Sequence, residues 1–333
     1  MAGWREKARA LETDAAGNFI IMSSPAPSEP IAPTPHHHTT RPLDATAIAV
    51  VVLLCLSWGF NQVAIKLTLH DIPPLTQAAL RSAIATVLVA GWCVLRGIPL
   101  FRRDGTLWPG LLTGTLFGVE FALIYQGLAY TTATRASVFL YMAPFVVVIG
   151  GRILLPGDRF RMSQWLGLLM SFAGLIVAFG VPTPALDPRQ TLGDILIVVA
   201  AVLWAGTTLT IKSSRPLNAT SPEKVLLYQL VVSLPIVAVA AWLAGETVTH
   251  WPDRQASLGM IYQSVWVVSV TFVMWFVLIQ RYSASRVSAF TVLTPLFGVA
   301  AGHFVMGDPL TPPFLLAVGF VAGGLVLVNR PQN

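Results

Sequence analysis

The stretch Trp58-Gly-Phe-Asn-Gln-Val-Ala-Ile-Lys66 recurs 146 residues later as Trp204-Ala-Gly-Thr-Thr-Leu-Thr-Ile-Lys212. In both copies the lysine follows the tryptophan by eight positions, and two adjacent polar residues lie three and four positions after the tryptophan. At about 100° per helical residue these positions share one broad face of a helix. Each copy therefore predicts a polar stripe on an apolar helix, as expected for a duplicated membrane protein with a central wet site.

The composition places the chain among polytopic membrane proteins. Of its 333 residues, 55% are hydrophobic and only 11% are charged, with a mean hydropathy of +0.69. This is more apolar surface than a water-soluble core can bury. The six excess positive charges are scattered along short loops, so they indicate topology and not a nucleic-acid partner. Cys55 and Cys93 lie in apolar runs without partners at metal or disulfide spacing, which favours a packing role.

Residues 1–44 differ in kind from the rest. They are rich in Pro and Ser, contain His36-His37-His38, and have no apolar run long enough for a signal peptide. We interpret them as a disordered cytoplasmic tail without a metal site, and Met22 is an alternative start to Met1. The predicted domains are this tail, a first five-helix repeat over 45–181 and a second over 182–333.

Ten apolar segments are long enough to cross a bilayer as helices. They span residues 46–67, 74–95, 107–129, 136–155, 163–181, 192–212, 224–244, 258–279, 287–306 and 312–329. With a cytoplasmic N-terminus, sixteen lysines and arginines lie on the inner side, against Arg135, Arg189 and Arg254 on the outer side. This asymmetry predicts that both termini are cytoplasmic.

A second motif supports the duplication. Nine positions separate Arg135 from Pro144, and nine separate Arg286 from Pro295, within similar surrounding residues. Because each half has five spans, the second copy must enter the membrane from the opposite side. The sequence thus predicts an all-α protein with two inverted-topology repeats, typical of secondary transporters.

The chain resembles the EamA-domain branch of the drug/metabolite transporter superfamily over about residues 46–329. The resemblance rests on Trp58-Gly59 and Lys66 in the first span, Pro73-Pro74 with Arg81 in the second, and the segment from Ala129 to Pro144. The usual glutamate after the fourth and ninth spans is Asp158 and Asp308 here, and the second Trp-Gly pair has Ala205. The resemblance implies ten helices in two inverted halves. The family includes exporters of amino acids and other metabolites, so the resemblance also implies a function of this kind.

Arg81 and Glu120 are the ionisable residues that most require an explanation, because a charge at helix centre costs roughly 2.5–3.5 kcal/mol on insertion scales. Three roles are open. They could bind the carboxylate and ammonium groups of a zwitterionic substrate, Glu120 could carry a proton, or the two could form a plain interhelical ion pair.

Polar and aromatic residues of the other spans complete the predicted binding site. The predicted substrate-binding residues are Trp58, Asn61, Gln62, Arg81, Glu120, Tyr141, Trp204, Thr208 and Gln229. Thr207 and Phe121 are further candidates, and Gln229 occupies roughly the place of Arg81 in the second repeat. Pro144 and Pro295 interrupt matching helices and are candidate hinges. Glycines one turn apart, in 110–118 and at Gly319 and Gly323, predict close helix contacts.

The chain lacks a phosphate-binding loop, a nucleophile elbow, a zinc-protease motif and paired carboxylates. We therefore expect a non-enzymatic transporter without a cofactor, driven by a gradient, with protons as a possible coupling ion. Our first hypothesis is export of amino acids or similar metabolites across a bacterial inner membrane by alternating access. The alternatives are a drug or sugar-derivative carrier, and a non-transporting membrane scaffold or sensor.

Overall fold

The computed structural model describes residues 12–13, 19–20, 43–131, 133–155, 160–180, 187–306 and 312–329. Within the N-terminal segment, β1 (Glu12–Thr13) pairs antiparallel with β2 (Phe19–Ile20). Apart from residues 43 and 44, the remainder of the predicted tail, including Met22 and His36 to His38, lies outside the described residues.

Helices account for the rest of the described secondary structure. The first half contains α1 (Ala45–Thr68), α2 (Pro74–Leu95), α3 (Leu107–Tyr130), α4 (Ala133–Leu140), α5 (Ala143–Leu154) and α6 (Met162–Phe179). The second half contains α7 (Pro188–Ser213), α8 (Arg215–Ala219), α9 (Pro222–Leu243), α10 (Arg254–Ile261), a π-helical stretch (Tyr262–Thr271), α11 (Phe272–Arg281), α12 (Ala284–Phe290), α13 (Leu293–Met306) and α14 (Pro312–Val328).

The predicted fold class is confirmed. In the described ranges, eight helical segments are long and apolar enough to cross a membrane. Two shorter apolar helices, Val138–Leu154 and Pro312–Val328, coincide with the two remaining predicted spans. The eighth span is longer than predicted, because α10, the π-helical stretch and α11 are continuous from Arg254 to Arg281.

The fourth and ninth spans are broken at equivalent places, at residues 141–142 and 291–292. Each break precedes a proline, Pro144 or Pro295, which lacks the N–H that would bond to the carbonyl four residues earlier. Both breaks contain the same turn pattern: Met142 N donates to Phe139 O (3.2 Å), and Thr291 N donates to Ser288 O (3.0 Å). The predicted interruption of both helices is therefore confirmed, whereas hinge motion remains a prediction.

The two halves interlock instead of folding side by side. The most extensive helix contacts join spans of different halves, including α6 with α14, α3 with α7, α3 with α9, and α2 with α9. They occur in equivalent sets: α1 packs on α13 much as α4 and α5 pack on α7. Each half thus supplies surface that the other buries, as inverted repeats require.

Glycines allow the closest of these approaches. A Cβ on Gly110, Gly114 or Gly118 would come within 2.6–2.8 Å of side chains of α9, which confirms the predicted close contact of α3. Gly323 also faces a neighbour, Met170 of α6. The prediction for Gly319 is wrong, because within the described residues no atom of another element lies within 4 Å of its Cβ position, and that face of α14 is exposed.

Polar contacts close both ends of the bundle. At one end the Glu246 carboxylate accepts hydrogen bonds from the backbone N–H groups of Leu75 (3.2 Å) and Thr76 (2.7 Å) at the start of α2. At the other end Lys224 Nζ donates to Asp104 Oδ2 at 2.7 Å. These contacts link loops that the sequence places on the same side of the membrane. Which side is cytoplasmic remains a prediction from the positive charges.

Candidate functional site

A central cavity of about 120 Å³ lies between the two halves, with room for several water molecules. Its walls come from α1, α2, α3, α7, α9, the break between α4 and α5, and the eighth span. The lining residues are Trp58, Asn61, Ile65, Arg81, Phe117, Glu120, Phe121, Ile124, Tyr125, Leu128, Leu140, Tyr141, Trp204, Thr207, Thr208, Gln229, Val267, Phe272, Trp275 and Phe276. Both copies of the repeated tryptophan motif thus line one cavity.

The polar lining groups have buried atoms without hydrogen-bond partners among the described residues. These atoms are Asn61 Oδ1, Arg81 Nε and Nη2, Glu120 Oε2, Tyr125 OH, Thr207 Oγ1, and Gln229 Nε2 and Oε1. A buried polar group left unsatisfied costs about 1–3 kcal/mol. Several such groups converge on one cavity, so its contents, whether water or a bound molecule, must satisfy them.

Arg81 and Glu120 are both buried, with 2% and 5% of their surface exposed. They line the same cavity, yet no ion pair joins them in the described structure. The Arg81 guanidinium instead lies over the Phe121 ring, with Cζ 4.3 Å from its centroid. The described structure thus shows no direct contact between the two charged groups, and which of the three roles they have remains a prediction. Arg81 Nε and Nη2 and Glu120 Oε2, which have no hydrogen-bond partner among the described residues, remain available to a third partner.

Aromatic side chains form the apolar part of the wall. Trp58 lies edge-on to Trp204 and Trp275, with ring centroids 6.5 and 5.4 Å apart, and Tyr141 is edge-on to Trp204 at 5.9 Å. Trp58 Nε1 donates a hydrogen bond to Thr271 Oγ1 at 2.8 Å. Edge-on rings and this bond fix the orientation of Trp58 and give the cavity a preformed wall.

The structure brings most of the predicted site residues together. Eight of the nine predicted binding residues line the cavity, as do Thr207 and Phe121. The side chain of the ninth, Gln62, lies outside the described residues. Pro144 and Pro295 do not line the cavity, and Pro144 packs close by, near Trp204 and Thr208.

The sequence analysis missed the contribution of the eighth span. Phe272, Trp275 and Phe276 line the cavity although no motif had marked them. A signal was present, since the offset of 151 residues between Arg135 and Arg286 also relates Phe121 to Phe272 and Tyr125 to Phe276. All four of these aromatic residues line the cavity, so the repeat extends to its walls.

The profile of the EamA-like transporter family matches residues 45–180 and 191–330. The chain belongs to this family. As an EamA-like transporter it is a multi-pass membrane protein that carries a small molecule, and the resemblance seen in the sequence is confirmed.

Named relatives of this EamA-like transporter are also similar along most of their length. An uncharacterized transporter of Archaeoglobus fulgidus is 26% identical, over 85% of this chain and 97% of the relative. Two Escherichia coli K12 proteins match: an uncharacterized inner membrane transporter, YedA (24% identical, 83% and 88% covered), and a probable amino-acid metabolite efflux pump (25%, 84% and 93%). One crystal structure superposes with a TM-score of 0.72 at 20% identity, covering 86% of this chain and 98% of that chain, which shows the fold alone.

Proposed function

We propose that this EamA-like transporter exports amino acids or related zwitterionic metabolites by alternating access at the central cavity. The observation that carries the proposal is that Arg81 and Glu120, two buried ionisable residues of opposite type, line one small cavity with Arg81 Nε and Nη2 and Glu120 Oε2 lacking hydrogen-bond partners among the described residues. A zwitterion offers a carboxylate for the guanidinium and an ammonium group for the carboxylate. The remainder of such a substrate would contact the aromatic wall.

An ionisable side chain that is held without a partner inside the membrane has an energetic cost. A charged side chain at mid-membrane costs roughly 2.5–3.5 kcal/mol on insertion scales, so two unpaired charges are retained only for a reason. A structural role would be served best by pairing them directly, which the geometry does not do. A substrate that satisfies both charges in one step supplies that reason, and Gln229 provides further neutral donor and acceptor groups.

The family and the named relatives support this proposal without deciding the substrate. The Escherichia coli relatives carry the descriptions inner membrane transporter and probable amino-acid metabolite efflux pump. By analogy with these relatives we propose a bacterial inner-membrane location. The distribution of positive charges supports the further proposal that both termini are cytoplasmic. Reporter fusions test that orientation: positions 103 and 215 should report as cytoplasmic and positions 187 and 253 as external. An external signal at 215 would contradict the inverted-repeat topology.

Transport assays of single and double variants test the substrate roles. Arg81→Gln and Glu120→Gln should each abolish amino-acid efflux from cells, and the double variant should also fail to transport while its abundance in the membrane is normal. Arg96→Gln is the matched control. It also removes a cation, but at the exposed C-cap of α2 and not at a buried position inside the helix. Recovered transport in the double variant would refute the substrate role and restore the ion-pair interpretation.

The same variants separate the competing substrate classes. A cationic drug requires Glu120 but not Arg81, and a neutral sugar derivative requires neither charge. Proton coupling makes a further prediction: Glu120→Gln should keep substrate exchange but lose its dependence on the proton gradient. If Glu120→Gln loses both substrate exchange and gradient-driven transport, Glu120 binds the substrate instead.

A further inference from the structure

Two histidines and two aspartates meet where two loops come together at one end of the bundle. His70 and Asp71 lie between α1 and α2, and His250 and Asp253 lie between α9 and α10. Nε2 of His70 is 3.2 Å from Asp71 Oδ1 and 3.3 Å from Asp253 Oδ2. The cluster therefore joins a loop of the first repeat to a loop of the second, on the predicted outer face and away from the central cavity.

The hydrogen bond on the other nitrogen of His70 determines what its Nε2 can do. Nδ1 lies 2.9 Å from the carbonyl oxygen of Leu67, and a carbonyl can only accept, so Nδ1 carries a proton. In a neutral imidazole, Nε2 then presents its lone pair to two carboxylate oxygens. Three acceptor atoms in this arrangement repel one another unless a cation, either a proton or a metal ion, lies between them.

Both carboxylates are oriented by backbone bonds that leave one oxygen directed at His70. Asp71 Oδ2 accepts from Asp253 N at 2.6 Å, and Asp253 Oδ1 accepts from Ala256 N at 2.7 Å. Nε2 of His250 lies 2.8 Å from Asp71 Oδ1. Orientation of ligands by such outer contacts is typical of metal sites.

We propose that His70 Nε2, Asp71 Oδ1 and Asp253 Oδ2 bind a divalent cation of the zinc type, with His250 holding Asp71 in position. Ligands about 2.0–2.1 Å from a tetrahedral zinc ion lie about 3.3 Å from one another. Two of the three ligand separations, 3.2 and 3.3 Å, match this edge, and all three ligand atoms lie within 4.8 Å of one another.

The donor chemistry and exposure fit such an ion. The imidazole favours zinc over magnesium or calcium, which prefer all-oxygen sites. The side chains of His70 and Asp253 are 51% and 52% exposed, so an ion can enter from solvent. Bound metal would fasten the loop between the first two spans to the loop between the seventh and eighth, and so stabilise contact between the repeats.

Metal titration of the purified full chain tests the proposal. The three tail histidines are first replaced by alanine in every protein used (H36A, H37A and H38A), so that they cannot contribute zinc binding. After chelation, one equivalent of Zn²⁺ should bind by calorimetry and raise the melting temperature by several degrees. His70→Ala and Asp253→Asn should weaken binding at least about tenfold. His303→Ala, which removes a different imidazole, should leave it unchanged.

A spectroscopic measurement on the chain with an intact cluster covers the case in which a ligand variant folds poorly. Co²⁺ in the site should give the intense visible absorption of four-coordinate cobalt, displaced by Zn²⁺. No stoichiometric binding, a weak octahedral cobalt spectrum, or zinc affinity unaffected by His70→Ala would each overturn the proposal in favour of a proton-bridged cluster. Glu120→Gln should bind zinc normally, so this result is independent of the transport proposal.

Discussion

Replacement of Gly114 by alanine should destabilise the protein, although alanine is the better helix former. The added Cβ would lie 2.6 Å from Val232 Cβ and 2.7 Å from the carbonyl oxygen of Tyr228, so the backbone of α3 or α9 must move. Overpacking of this kind typically costs 1–3 kcal/mol, and the gain from replacing a helical glycine is at most about 1 kcal/mol. We therefore expect a net loss of up to about 2 kcal/mol.

Gly91→Ala is the matched control, because in the described part of the chain no atom of another element lies within 4 Å of its Cβ position in α2. It gains helix propensity without a clash, so it should be neutral or more stable by up to about 1 kcal/mol. Thermal unfolding of the purified protein in detergent should thus shift in opposite directions for the two variants. Equal melting temperatures would refute the close packing of α3 on α9, since only that contact distinguishes the two sites.

Two further predictions concern bonds between the repeats. Lys224 is buried, and its Nζ donates a hydrogen bond to Asp104. This bond is the main cause that lowers the pKa of Asp104, and the hydrogen bond from the Thr106 side chain is the second. The stabilisation is therefore present above pH about 4 and lost as the pH falls through the depressed pKa, and Asp104→Asn should remove this acid-dependent part of the melting temperature. Trp58→Phe and Thr271→Val should couple in a double-mutant cycle by about 0.6 kcal/mol and at most about 1.7 kcal/mol, as for hydrogen bonds in membranes, and zero coupling would contradict the bond.

The candidate site was predictable to the extent that it repeats. Trp58, Trp204 and their polar neighbours were identified because two copies of one pattern indicate one shared site. Arg81 and Glu120 were identified because charge inside an apolar span is costly. The aromatic residues of the eighth span were missed because Phe and Trp are common in any apolar helix. In addition, the offset of 151 residues that relates them to the third span is that of the Arg135 motif, and it differs from the 146 residues that separate the two tryptophan motifs.

The sequence alone determined the ten spans, the breaks before Pro144 and Pro295, and the duplication. Hydropathy, proline chemistry and repeated spacing can each be read from the sequence without knowledge of the tertiary packing. Only the tertiary structure decided the rotation of each helix about its axis. That rotation leaves Arg81 and Glu120 beside one cavity without pairing them, and turns Gly319 outward while Gly114 faces α9. The packing of the two halves also brings two loops together, so that His70 Nε2 lies 3.3 Å from Asp253 Oδ2, 183 residues later. Such contacts depend on how both halves pack against each other, which no local pattern contains.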